Sequence, residues 1–246
     1  MRGRLARTMM VVGTVVAVVP VGVRWSTGGA APARRPEAAP RRLEAAGLAI
    51  ELNATDGDAG LQVSLNGPPW RELTLLRPDG REILHLEATG PMRRFGLTEL
   101  FSESSEPPFT RFPLEEFLAL FQEGRYRLVG RTVDGRRLVG AASLSHVLPA
   151  PPEILAPSDG AAVPADGFRV RWRPGPPVPG ERIVAFEVTL EREDPLRTFT
   201  VQVPAAIRGV RVPGAYLEPG VEYALEVVAL EEGGNRTLTA MAVTAR

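Results

Sequence analysis

The residues best placed to do chemistry lie in one short stretch, Asn53-Ala54-Thr55-Asp56-Gly57-Asp58. Asn53, Thr55, Asp56 and Asp58 offer hard oxygens around a glycine, the donor type that Ca²⁺ selects when six to eight oxygens converge. The spacing departs from the D-x-[DN]-x-[DN]-G register of the EF-hand, so any Ca²⁺ site here is a weak one. The competing reading is an Asx-rich turn whose side chains satisfy their own backbone, and it is the stronger of the two. Apart from that possible Ca²⁺, no cofactor is expected.

Other reactive groups are sparse. His85 and His146 sit far apart in sequence, each on a segment read as a strand. No G-x-S-x-G elbow supplies a nucleophile. Ser143 and Ser145 are near His146, but neighbours at odd spacing on a strand face opposite ways. Glu99, Glu103 and Glu106, and the Glu115-Glu116 pair, have the chemistry of a glycosidase carboxylate pair. They read more simply as solvated faces and as anions at a helix N-terminus. The chain has no Cys, which excludes thiolate metal sites, disulfides and Cys nucleophiles. It also has no Lys, so a Gly-x-x-x-x-Gly-Lys phosphate loop is impossible. The expectation is therefore a protein without catalytic residues. The alternative is an enzyme, or enzyme accessory, with its site in residues 48–148, covered by the segment 96–124 with Pro107-Pro108-Phe109 as a lip.

The elements that would position these groups divide the chain. Residues 1–33 have the basic start, apolar run and Ala31-Pro32-Ala33 ending of a secretory signal. Export to the cell envelope, the periplasm or the outside follows, with membrane contact only if this segment stays uncleaved. The all-Arg, Ala/Gly/Pro-rich composition points to GC-rich codons and a bacterial host. Asn53-Ala-Thr55 and Asn235-Arg-Thr237 are glycosylation sequons by pattern. Residues 34–47, rich in Arg, Pro and Ala, read as a disordered spacer. Without residues 1–33 the chain keeps 25 of its 29 Arg against 29 acids, a net charge near −4. That balance excludes a nucleic-acid footprint.

Residues 48–148 read as a β-rich domain. Leu48–Leu52 and Leu61–Leu65 alternate as strands, Asn66-Gly67-Pro68-Pro69 turns the chain, and Trp70–Leu76 follows as a third. Trp70 is a candidate centre for an exposed binding patch. Gly96–Ser105 has helical spacing. Pro113–Phe121 is the best helix: Pro at its first position, Glu115 and Glu116 in its first turn, a Leu114/Phe117/Leu118/Phe121 stripe, and Gly124 as its stop. Gly124-Arg-Tyr126-Arg-Leu128 then opens a strand.

The junction, residues 149–157, is Pro-rich and extended, and supplies the first strand of residues 158–246. In that part Phe168, Val170 and Trp172 alternate with Arg169, Arg171 and Arg173. Phe186, Val188 and Leu190 line one face of the next strand. Leu217-x-Pro219-Gly220-x-x-Tyr223-x-Leu225-x-Val227-x-Ala229 is a turn followed by a Tyr-headed strand with one apolar face. A Tyr placed there can return its hydroxyl to the backbone upstream, the tyrosine corner of immunoglobulin-like sandwiches.

Residues from about Pro151 to Arg246 thus resemble a fibronectin type III domain. The matching residues are Pro151-Pro-Glu-Ile154 with Pro157, Trp172, Phe186, Val188, Leu217, Pro219, Gly220, Tyr223, Leu225 and Val227. The resemblance implies a seven-stranded sandwich acting as a spacer or binding module. No Arg-Gly-Asp triplet occurs, so integrin-type adhesion is not implied. The expected fold is mainly β: two immunoglobulin-like β-sandwiches, the first with a short helical insertion near 96–124. The expected partner is a protein or a polysaccharide.

Overall fold

The computed structural model describes residues 39–246. The signal segment and the start of the spacer lie outside the described residues. In chain order the first half contains β1 (Arg41–Arg42), β2 (Ala45–Asn53), β3 (Asp58–Leu76), β4 (Glu82–Glu87), α1 (Met92–Phe95), β5 (Leu97–Glu103), α2 (Leu114–Leu120), β6 (Gly124–Thr132) and β7 (Arg137–Leu144). The second half contains β8 (Glu153–Ala156), β9 (Ala161–Val163), β10 (Gly167–Arg173), β11 (Ile183–Arg192), β12 (Arg197–Pro204), β13 (Gly209–Pro213), a 3₁₀ turn at Gly214–Tyr216, β14 (Glu222–Glu231) and β15 (Arg236–Ala245).

β3 builds the first sandwich by passing through both of its layers. Residues up to Asn66 pair with β2 on one edge and β5 on the other. Residues from Trp70 onward pair with β6 and β4. The change-over falls at Asn66-Gly67-Pro68-Pro69, where the register shifts. These residues therefore do not turn the chain, as the sequence suggests; the strand bends through them and continues. Proline lacks an N–H, and a bulge is where a strand can do without one. Leu48 and Ile50 of β2 and Leu61, Val63 and Leu65 of β3 face Leu73, Leu75, Tyr126, Leu128, Leu138 and Leu144 across one core.

Three further expectations in this half are corrected. The spacer is shorter than residues 34–47, because Arg41–Arg42 pairs in parallel with β7 and β2 already begins at Ala45. Leu43 anchors this stretch: its N–H donates to Val139 O at 3.0 Å and its side chain lies over Gly140. Gly96–Ser105 is not helical, since β5 is held in the sheet by the Gln62–Asn66 stretch of β3. Gly96, at φ 74°, stops the single-turn helix α1 just before it. Finally, α2 stops at Leu120, capped by Phe121, while Gly124 opens β6. The helical insertion is thus α1 and α2 with a strand between them.

The second sandwich sets β13-β10-β8 against β9-β15-β14-β11-β12. Phe168, Val170 and Trp172 from the three-stranded layer meet Phe186, Val188, Leu190, Leu225, Val227 and Val243 from the other. The Trp172 and Phe186 rings lie 5.7 Å apart and tilted, a favourable aromatic geometry. Burying each such side chain is worth about 1.5–3 kcal/mol. Tyr223 is buried, and its hydroxyl accepts the Glu218 N–H at 2.8 Å, behind Pro219 and Gly220 at φ 83°. Leu217 is also buried, closing the corner. Tyr126 repeats the device in the first sandwich, donating its hydroxyl to Gln122 O at 2.9 Å.

The two sandwiches share a sheet. β15 pairs with β14 along its length, and its other edge runs parallel with both β2 and β9. The β2 contact matches Arg236, Thr237 and Leu238 with Glu51, Leu52 and Asn53. Twelve strands thereby form one hydrogen-bonded sheet across both cores.

Candidate functional site

Of the polar residues that the sequence singles out, the junction between the sandwiches collects Asn53, Thr55, Ser145 and Asn235. Asn235 lies in the turn between β14 and β15 and is only 1% exposed. Its Oδ1 accepts the Ile50 N–H at 2.8 Å. Its Nδ2 faces Ser145 O at 2.9 Å, Ser145 Oγ at 3.1 Å and Val147 O at 3.0 Å. One side chain therefore ties β2, the exit from β7 and the last hairpin together. The sequon pattern at Asn235 accordingly marks no accessible acceptor; the amide nitrogen is occupied inside the fold.

The Asn53–Asp58 loop joins the same junction. Thr55 and Asp56 donate their N–H groups to Asn53 Oδ1 at 3.0 and 3.1 Å, and Asn53 Nδ2 donates to Asp56 Oδ2 at 3.0 Å. Thr55 Oγ1 accepts the Ala240 N–H at 2.8 Å and donates to Ala240 O at 3.2 Å. The Ala54 N–H donates to Leu238 O at 3.0 Å. Of the four Ca²⁺ candidates, Asn53 and Thr55 are committed to the turn and to β15. Asp56 is tied into the same turn through its Oδ2. Asp58 is distinctive electrically: partial burial, reinforced by Asp56 and Glu51, pushes its carboxyl up to about 6. Its Oδ1 is buried without a hydrogen bond.

Beside this loop three carboxylates converge. Glu51, Glu103 and Glu106 present oxygens within 4.8 Å of one another. Gln62 stands directly across from Glu103 in the β3–β5 ladder. Its Nε2 donates to Glu51 Oε2 and to Glu103 Oε1, both at 2.8 Å. Gly60 makes room for Glu106, whose Oε1 lies 2.7 Å from where a Cβ would sit. Glu103 and Glu106 are visible in the sequence as acids, but only the β3–β5 pairing and the segment that follows β5 bring them to Glu51.

The histidines do not join this region. His85 Nδ1 lies 2.9 Å from Thr74 Oγ1, at the opposite end of β3 from Asp58. His146, beyond the end of β7 rather than within a strand, has Nε2 2.8 Å from Phe121 O, and its N–H donates to Glu123 at 2.6 Å. Pro107-Pro108-Phe109 is not a lip: Phe109 packs on the first core and its N–H donates to Gly57 O at 2.7 Å. Trp70 is fully buried in that core, so no Trp70-centred surface patch exists. A shallow groove at the junction, between Thr55, Pro151, Pro152, Ile154, Thr239 and Met241, contains one titratable side chain, Glu153, which is ion-paired with Arg173.

No protein-family model and no curated protein matches the sequence. Among solved structures the chain is similar to a two-domain fibronectin type III segment of chicken tenascin, at 13% identity and a TM-score of 0.30, covering 82% of this chain and 98% of that one. It is similar to the FN1-FN3 domains of chicken CNTN1, at 10% identity and 0.34, covering 84% of this chain and 65% of that one. It is also similar to a bacterial ice-binding adhesin, at 16% identity and 0.27, covering 84% and 66%. The layer order of the second sandwich and its tyrosine corner define it as fibronectin type III-like. Among the described residues, no helix is long and apolar enough to cross a membrane.

Proposed function

We propose that this is an exported, non-catalytic binding or spacer protein that works as one stiff body of two β-sandwiches. The observation that supports this reading is the junction: the β2–β15 pairing and the Asn235 hydrogen bonds fix one sandwich against the other. Flexibly linked modules have interfaces that permit relative motion. Here the backbone ladder runs from one core into the next, and residues 39–246 cluster as a single compact unit. Polar side chains at the junction are used as struts. Asn53, Thr55 and Asn235 hold backbone, while His85 and His146 each pair locally.

The chain has no Cys, so paired labels are easily introduced. Thr110→Cys and Thr198→Cys place one spin label on an exposed residue of each sandwich. A single narrow distance distribution is expected by pulsed electron resonance. A broad or multimodal distribution would overturn the stiff-body reading.

A further inference from the structure

The second sandwich carries a cationic face that its own fold does not use. Phe168, Val170 and Trp172 of β10 point into the core, so Arg169, Arg171 and Arg173 project from the outer side, and all three are exposed. Arg211 of β13 stands directly across from Arg169 and is exposed as well. Carboxylate contact occurs only at the end of the row, where Glu153 of β8 pairs with Arg173. Arg211 Nη2 donates to Asp166 O at 3.3 Å, a backbone carbonyl. Among the described residues Arg169, Arg171 and Arg211 make no ion pair.

The pairing across this face is not arranged for stability. Like charges directly opposite on neighbouring strands are destabilising, and Arg169 faces Arg211. Gly209, across from Arg171, lets the two backbones approach closely: a Cβ there would lie 2.9 Å from Val170 O, 3.3 Å from Arg171 Cγ and 3.4 Å from Arg169 Nε. The surroundings make the contrast sharper. Residues 39–246 hold 23 Arg, the 29 less six before residue 39, against 28 acids, the 29 less Glu37. The outer face of the opposite layer carries Glu187, Glu191 and Glu222.

We infer that Arg169, Arg171 and Arg211 form a docking face for a linear acidic polysaccharide. This inference rests on the binding reading above and names the class of partner. Guanidinium groups match carboxylates and sulfates through paired N–H donors. Alternate residues on a strand lie about 7 Å apart, and directly opposed residues about 5 Å apart. A small anion cannot span the three, whereas successive anionic groups along a chain can. The three strands expose no aromatic ring on which a nucleic-acid base could stack. Leu155 is their one exposed large apolar side chain, too little for an interfacial membrane anchor.

The test uses the full chain and polygalacturonate as the probe. The chain should bind the immobilised polymer at low salt and release it as salt is raised, since contacts between exposed charges are screened. Arg169→Gln with Arg171→Gln should weaken binding about tenfold or more, the loss expected for charged hydrogen bonds. Arg211→Gln alone should weaken it in the same direction. Arg94→Gln with Arg111→Gln removes equal charge from exposed sites elsewhere and should leave binding unchanged. Thermal melts of the face variants should not fall, because a repulsive cluster is being thinned. Equal loss in both double variants, no binding by the parent chain, or binding to phosphatidylglycerol vesicles or DNA in place of the polymer would each overturn the inference. If the label distances stay narrow in any of those cases, the stiff-body reading survives and only this inference fails.

Discussion

Asn235 Oδ1 accepts the amide hydrogen of Ile50 at 2.8 Å, across 185 residues of sequence. Its amide nitrogen is spent on the Ser145–Val147 segment. Asn235→Ala strands the buried Ile50 N–H on β2 and the partly buried acceptors of the Ser145–Val147 segment at once. An unsatisfied buried group costs about 1–3 kcal/mol, so a loss of about 2–5 kcal/mol is expected in urea denaturation. Trp70 reports on the first core and Trp172 on the second. Their transitions should coincide in the parent and separate in the variant. An unchanged midpoint would show that the contact is incidental.

The paired tyrosine corners predict two small and independent losses. Tyr223→Phe removes the acceptor for the Glu218 N–H, and Tyr126→Phe removes the donor to Gln122 O. Each should cost about 1 kcal/mol. Because the residues serve different cores, the double variant should lose the sum to within about 0.5 kcal/mol. Burial also raises the Tyr126 hydroxyl above its usual range. The unfolded chain ionises first as pH rises past about 10, so stability should decline there. Tyr126→Phe should lessen that decline, as alkaline denaturation would show.

Asp58 should make the protein less stable as pH rises through weak acid. Its carboxyl titrates at about 6 in the fold and at 3.8 without the fold's influence. Below 3.8 both states hold the proton and the residue contributes nothing. Between these values the unfolded chain has released the proton while the folded one retains it, so folding loses stability, fully so above about 6. For a side chain still partly in water the penalty is on the order of 1 kcal/mol after solvent screening. Asp58→Asn should raise the melting temperature at pH 7 and leave it unchanged near pH 3.5. Equal effects at both pH values would assign the change to packing instead.

Gly130 should tolerate no side chain. A Cβ there would run into Glu72 O, a backbone atom of the strand it pairs with. The strands would have to part where β3 and β6 close the first core. Gly130→Ala should cost more than about 3 kcal/mol, well beyond the ordinary strand penalty of a substitution. A chemical denaturation midpoint close to that of the parent would refute the close approach.

The second sandwich is readable from its residues because its core is written in strictly alternating strands. Phe168-x-Val170-x-Trp172 and Tyr223-x-Leu225-x-Val227 place the same side chains inward in the fold as in the pattern. The first half misleads where local spacing has two solutions. Leu97, Leu100 and Phe101 fit one helix face, yet β5 exposes Phe101 and is fixed by its neighbour β3. Pro68-Pro69 looks like a turn because strands seldom hold two prolines, and a bulge absorbs them. Trp70 is a surface candidate only until β6 is placed beside it. Nothing local announces the junction. Asn53, Thr55 and Asn235 are ordinary turn residues in sequence, and their roles come from strands that meet far along the chain. Glu51, Glu103 and Glu106 meet for the same reason.

β15 also closes an edge of the first sandwich. One edge of β2 has no partner from the first half at Glu51–Asn53; that edge is filled by Arg236–Leu238. Contacts between such distant segments close long loops and form late. Until then the first sandwich presents open backbone groups, a template on which other chains can add. Pairing with β15 thus removes an open edge from the first sandwich.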